Sequence, residues 1–172
     1  MVWDMKMMVL LHNIRSAHNV GSIFRTADAA GVKKLFLTGY TPTPLDRFGR
    51  AQKDIAKTAL GAQKCVAWEY AKTPGSILKK MKREGVHIVG VEQDARAVNY
   101  RSFKPHSAVL FLFGNEVRGL SRSLRDACDT LIEIPMHGTM VRQAHHPRNT
   151  GTGKESLNVS VAVGIVLFNV HS

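Results

Sequence analysis

The sequence predicts an α/β fold, a parallel sheet sandwiched between helices. Three observations carry this expectation. Apolar runs alternate with amphipathic stretches along the chain, the order of strand–helix–strand units. Several of the runs are apolar without alternation, as strands covered on both faces are. Polar clusters follow the apolar runs, and α/β sheets place ligand sites outside the carboxyl ends of their strands.

The elements follow in order. A first strand is expected at residues 7–11 and a first helix at 20–30, where Val20, Ile23, Phe24, Ala27 and Gly31 share one face and Asn19 caps the start. Strands are expected at 34–38, 65–69, 86–92, 108–113 and 130–134, with Pro135 ending the last. Helices fall between them at 50–60, 76–84 and 121–128, the third capped by Ser121. The valine-rich stretch 156–170 has strand propensity but helical spacing. Leu157, Val161, Ile165 and Phe168 form one stripe, and Val159, Val163, Val166 and Val170 another, so a buried helix is expected. Ser156, Ser160 and Gly164, four apart, would let another backbone approach it closely. With no linker, repeat or low-complexity tract, residues 1–172 read as a single domain.

Composition narrows the partners. The 24 Lys and Arg against 13 Asp and Glu leave a net charge of +11, which favours a polyanion because each neutralised phosphate releases counterions. Charge alone does not choose between RNA and DNA. Cys65 and Cys128 form neither a disulfide framework nor a Cys-x-x-Cys pair, and read as reduced thiols. The longest apolar stretch near the C-terminus, 159–168, is about half what spans a bilayer, and the run at 7–11 is too short for a signal peptide. The expected setting is therefore cytoplasmic, with no membrane. No metal is expected, because His137, His145 and His146 lack a carboxylate or cysteine frame. Residues 150–155, Thr-Gly-Thr-Gly-Lys-Glu, lack the glycine and the hydroxyl residue of a phosphate-binding loop.

Three clusters carry the candidate chemistry. In the first, Asn13, Arg15, Asn19 and Arg25 surround the start of the first helix. Arg25 leans back toward that start, where free N–H groups and a guanidinium would hold a phosphate. In the second, Gly114 and Gly119 allow tight turns around Glu116. This acid either takes part in the site or holds the loop by accepting N–H bonds. In the third, Ile134, Pro135 and Met136 are resumed by Ser156, Leu157 and Asn158, where the serine reads as a helix cap and the asparagine needs a partner.

Together the clusters resemble the SpoU family of RNA ribose methyltransferases, TrmH-like members of the knotted SPOUT superfamily. The resemblance rests on Asn13 with Asn19-x-Gly21-x-x-x-Arg25, on Leu112-Phe113-Gly114-Asn115-Glu116-x-x-Gly119-Leu120-Ser121, and on Ile134-Pro135-Met136 with Ser156-Leu157-Asn158-Val159-Ser160. It implies a parallel sheet with a C-terminal deep trefoil knot, a homodimer with sites at the subunit interface, and S-adenosylmethionine as cofactor. Cofactor contacts would come from Val91, Glu92, Gly114, Ile134, Met136, Ser156 and Leu157. Arg25, Glu116 and Asn158 would be the catalytic set, and Asn13, Arg15, Asn19, Arg25 and Arg142 would contact RNA. In this family a ribose 2′-hydroxyl attacks the sulfonium methyl. A guanidinium stays protonated, so Arg25 is better suited to gripping phosphate and stabilising the developing alkoxide than to acting as a base.

One departure stands out. Met136 and Ser156 lie 20 positions apart, much farther than in close members, and the excess at 141–153 reads as a loop that either contacts RNA or is a tolerated excursion. Two rival functions remain, a non-catalytic RNA-binding protein of the same fold and a base methylase. Transfer RNA is the favoured acceptor, with ribosomal RNA the alternative.

Overall fold

A computed structural model describes residues 6–137 and 156–170. Among the described residues seven strands form one sheet in the order β3-β2-β1-β6-β4-β7-β5. They are β1 (Met7–His12), β2 (Lys34–Thr38), β3 (Trp68–Ala71), β4 (His87–Val91), β5 (Val98–Asn99), β6 (Val109–Phe113) and β7 (Thr130–Glu133). Every pairing is parallel. Among the described residues the α-helices are α1 (Ala17–Ala29), α2 (Lys53–Ala59), α3 (Ala62–Cys65), α4 (Gly75–Arg83), α5 (Arg122–Ala127) and α6 (Val159–Asn169).

The unalternating strands are explained by two separate cores. Met7, Val9 and Leu11 of β1, with Val109, Phe111 and Phe113 of β6, face α1, α2 and α6. Met8 and Leu10, with Leu110 and Leu112, face Ile77, Leu78 and Met81 of α4 and Leu124 of α5. Both faces are therefore covered, and all five residues of β6 are buried.

The register places Leu11 beside Phe113 and Val91 beside Ile132, so β1, β6, β4 and β7 deliver their carboxyl ends along one edge. Every polar cluster of the sequence except Arg25 begins at such an end.

Several boundaries differ from expectation. Residues 62–65 fold as the short helix α3, so β3 begins at Trp68 rather than at residue 65. The two-residue strand β5 carries no pattern long enough to announce it. Helix α1 starts three residues before Val20, because Ser16 takes the capping position expected of Asn19 and its hydroxyl accepts the Asn19 N–H at 3.2 Å. Helix α6 is capped by Asn158 rather than Ser156, which leaves Ser156 and Leu157 outside the helix. Val159, Val163, Val166 and Leu167 bury its inner face, but Val161 and Phe168 are each 50% exposed. The expectation of a helix buried all round therefore fails in this single chain. Among the described residues no helix is long and apolar enough to cross a membrane.

Gly21 sits where α1 crosses α2. A Cβ there would overlap the Thr58 hydroxyl and come within 2.5 Å of the Ile55 carbonyl oxygen. Alanine is favoured over glycine inside a helix by about 1 kcal/mol, whereas overpacking against backbone costs about 1–3 kcal/mol. Gly21→Ala should therefore lower stability despite its better helix propensity, read as a lower urea midpoint at unchanged slope.

Candidate active site

The carboxyl ends of β1, β6, β4 and β7 open into one cleft. It is lined by Arg15, Ser16 and Asn19 of the first cluster, by Phe113–Gly119 of the second, and by Ile134, Met136 and Ser156–Val159 of the third, with Val91 at the end of β4 and Glu92 and Gln93 after it. All seven residues expected to hold a cofactor line this cleft, as do Glu116 and Asn158.

What brings the three clusters together is a chain of polar side chains. The Glu116 carboxylate accepts the Arg15 N–H through both oxygens, at 3.1 and 3.0 Å, and the Ser16 N–H at 3.1 Å. The Asn19 amide donates to the same carboxylate at 3.4 Å. The Asn19 carbonyl oxygen in turn accepts from the Asn158 amide at 3.1 Å. Asn158 then caps α6, its Oδ1 accepting the Ser160 N–H at 2.9 Å and the Ser160 hydroxyl at 2.6 Å. Asn19 can bridge the two because Ser16, not Asn19, does the capping of α1.

The carboxylate of Glu116 sits on the N–H groups of Arg15 and Ser16, just before α1. Arg25, expected to grip a phosphate there, lies farther along α1 and outside the cleft lining. Burial pushes the Glu116 carboxyl up, but the N–H bonds from Arg15, its own backbone and Ser16, with the Asn19 amide, more than offset it, and the group is held below its ordinary value. Of the two roles open to it, holding the loop is the one its contacts perform.

The remaining clasps are local. The Asn115 amide donates to the Asn13 carbonyl oxygen and to the Tyr40 hydroxyl, both at 3.0 Å, while its Oδ1 receives the Val117 and Arg118 N–H groups. Glu92 accepts the Leu120 N–H at 2.6 Å, tying the same loop to the end of β4. Gly119, at φ +63°, lies against that carboxylate, and any Cβ there would collide with it. A Cβ on Gly114 would meet the Gly119 backbone, the carbonyl oxygen at 2.5 Å. Glu92 thus reaches the cleft as a brace for its wall.

Asn13 does not line the cleft. Its backbone is left-handed at φ 58°, its Oδ1 accepts the Tyr40 N–H at 3.2 Å, and its amide donates to His12 Nε2 at 3.0 Å. That bond leaves the ring proton on Nδ1, 2.9 Å from the Thr38 hydroxyl, and burial lowers the His12 pKa, keeping the ring neutral. Asn13 therefore shapes the turn after β1, and an RNA contact through its side chain would break these bonds. Arg25 is exposed on α1 and also lies outside the cleft lining. Arg142 and the segment 141–153 lie outside the described residues. The sequence places Asn115 in the second motif without a role, although an asparagine directly after a glycine at a strand end is a common turn signal. Among the described residues no cluster of three or more His, Cys, Asp or Glu is placed to hold a metal ion.

Residues 6–168 match the SpoU rRNA Methylase family. The chain belongs to that family. It is 32% identical over 161 residues to the 23S rRNA (guanosine-2′-O-)-methyltransferase RlmB of Neisseria meningitidis, covering 94% of this chain but 56% of that enzyme's length. Two solved structures share the fold at a TM-score of 0.76 and 28% identity, each covering 96% of this chain: the A. aeolicus TrmH/SpoU tRNA modifying enzyme and the AdoMet-bound rRNA methyltransferase from Sinorhizobium meliloti. This chain covers 73% of the first and 56% of the second. In this SpoU chain, as in the sequence reading, the three motifs sit at strand ends.

A carboxylate held low in the folded state stabilises it above the unfolded value and loses that contribution as pH falls through the folded value. Glu116→Gln should therefore melt earlier than the wild type at neutral pH, because the amide places a donor against the loop N–H groups. The gap in Tm should close below about pH 4.5, the ordinary value for this group. A gap independent of pH would remove the charge from the clasp.

Proposed function

We propose that this SpoU chain transfers a methyl group from S-adenosylmethionine to a ribose 2′-hydroxyl of RNA. The observation that carries the reading is the convergence of all seven expected cofactor contacts on one cleft whose rim holds Arg15, Asn19 and Arg118. Val91, Phe113, Ile134, Met136 and Leu157 supply apolar wall, and the turns after β6 and β7 supply polar edge, a lining suited to a nucleoside joined to a charged amino-acid end. The cleft volume, about 1380 Å³, exceeds the roughly 300–1,000 Å³ of single-ligand pockets and leaves room for an acceptor nucleotide.

The bound cofactor supplies an already activated methyl group. The protein's task is then mainly positioning, which can supply several kcal/mol of the barrier. Glu116, Asn19 and Asn158 hold the three walls in register. They act as positioning residues. Arg15 and Arg118 face phosphate at the rim. Arg25 completes the reading from a second copy of the chain: it is exposed outside its own cleft, and α6, packed on the same α1, presents Val161 and Phe168 to solvent. A homodimer through these helices would cover that apolar face and offer a guanidinium for the developing alkoxide. The trefoil knot belongs to the same proposal: β7 is flanked by the earlier strands β4 and β5, and α6 returns to pack on α1.

For the acceptor, ribosomal RNA is better supported than the transfer RNA first expected, since the Neisseria relative is named for 23S rRNA. The A. aeolicus structure is named for tRNA, and it keeps that class within the test. The non-catalytic alternative is less favoured, because the seven residues expected to contact the cofactor all line one cleft.

Incubation with labelled S-adenosylmethionine and total RNA, followed by nuclease digestion, should yield a 2′-O-methylated nucleoside. A methylated base would overturn the ribose assignment. Arg25→Ala should lose transfer at least a hundredfold, the order of one electrostatic stabiliser, while calorimetry shows nearly unchanged cofactor affinity. Mixing Arg25→Ala chains with chains blocked in the cleft by Gly114→Val should restore part of the activity if Arg25 acts across the dimer. No recovery from folded, co-refolded chains would place it within its own subunit or outside the mechanism.

A further inference from the structure

Directly after Tyr40 the chain leaves the sheet as a short arm that the cleft does not use. The arm is closed by an antiparallel bridge between Leu45 and Ala51, with the Asp46 N–H on the Arg50 carbonyl at 2.9 Å and the Gln52 N–H on the Pro44 carbonyl at 2.9 Å. Asp46 organises the tip. Its Oδ1 accepts the Phe48 and Arg50 N–H groups at 2.8 and 2.9 Å, and its Oδ2 accepts Arg50 Nε at 2.8 Å.

The outcome is an unusual surface. Phe48 is 65% exposed, with the Arg50 guanidinium 5.0 Å and the Arg47 guanidinium 4.7 Å from its ring centre. Arg50 is fixed by Asp46, whereas among the described residues Arg47 has no ion-pair partner. A tip built only to close a turn would need Asp46 and Gly49 but no exposed ring. The base of the arm is fastened to the cleft, because the Tyr40 hydroxyl accepts from Asn115, the residue that shapes the cleft loop. The arm therefore rises from the carboxyl edge of the sheet, its base tied to the loop that carries Asn115 and Arg118.

We propose that the Arg47–Arg50 tip is a stacking platform for an unpaired base of the RNA acceptor, outside the nucleotide that enters the cleft. The inference rests on the RNA reading above and adds a recognition element to it. Every base has a π-face, so an exposed ring flanked by guanidiniums grips single-stranded RNA with little dependence on sequence. Arg50 holds the ring in place, and Arg47 is available to turn to a neighbouring phosphate as the base stacks. The platform selects acceptors whose target nucleotide lies in a loop or bulge, since a continuous duplex has no free base to offer.

The test is direct binding, so it does not depend on methyl transfer. A stem-loop RNA carrying 2-aminopurine at each loop position in turn is titrated with the full-length protein and followed by anisotropy and by 2-aminopurine fluorescence. The wild type should bind and quench at one or two positions. Phe48→Ala should bind about tenfold or more weakly and lose the quench, within the range for one lost stacking contact. Phe48→Trp should retain both, and Phe48→Leu should lose the quench although its bulk is apolar. Arg47→Gln should weaken binding and flatten its salt dependence. Equal binding and quenching by wild type, Phe48→Ala and Phe48→Leu would overturn the platform, as would a wild type that binds without quenching or does not bind the stem-loop at all. S-Adenosylmethionine affinity, measured on the same variants, should not change. If the protein binds and quenches RNA yet transfers no methyl, the platform stands and the methyltransferase reading falls.

Discussion

The structure depends on one polar chain, from Asn158 through Asn19 to Glu116 and on to the backbone of Arg15 and Ser16. Its members lie as much as 139 residues apart in sequence. Each lies at the end of an element, where backbone groups need partners that neither helix nor strand provides. A carboxylate placed on the N–H groups before α1 satisfies them and compensates its own desolvation. The same bonds close the walls of a cleft that would otherwise be three separate loops. A network of this kind is stable only while each group keeps its partner, so changing any one of the three residues disturbs all three loops together.

The parallel sheet makes this convergence possible. Because β1, β6, β4 and β7 run the same way, their following turns emerge on one edge, and the buried faces of β1 and β6 lock the register that aligns them. Glycine at 114 and 119 lets the loop backbone pack against itself and against the Glu92 carboxylate, which ties the β4 and β6 ends together. The architecture is thus chiefly a device for bringing distant loops to one place. Its chemistry is carried by what those loops present.

Much of this was legible in the sequence. The six longer strands, the covered sheet and the motif residues follow from apolar runs and from clusters at their ends, because those signals come from burial on both faces. The misplacements share a physical origin. Whether Ser16 or Asn19 caps α1, and whether Ser156 or Asn158 caps α6, depends on which residue has another partner, and that partner lies in a different motif. Residues 62–65 are helical because Gly61, at φ +99°, turns the chain there, a local choice that strand propensity misses. The position of Arg25 was misjudged for the same reason: moving the start of α1 by three residues carries it a turn farther from the helix N-terminus. The apolar spacing of α6 predicts a buried helix, yet Val161 and Phe168 are half-exposed in this chain, because apolar residues on two stripes cannot all face one core.

The central claim is that three distant stretches make one cofactor site. Titrating S-adenosylmethionine into isotopically labelled protein and following the backbone amide resonances tests it most directly. The account expects Val91, Gly114, Ile134 and Leu157 to shift together, along one binding curve, with the amides of α4 unmoved. Shifts confined to a single stretch, or none at saturating cofactor, would contradict it.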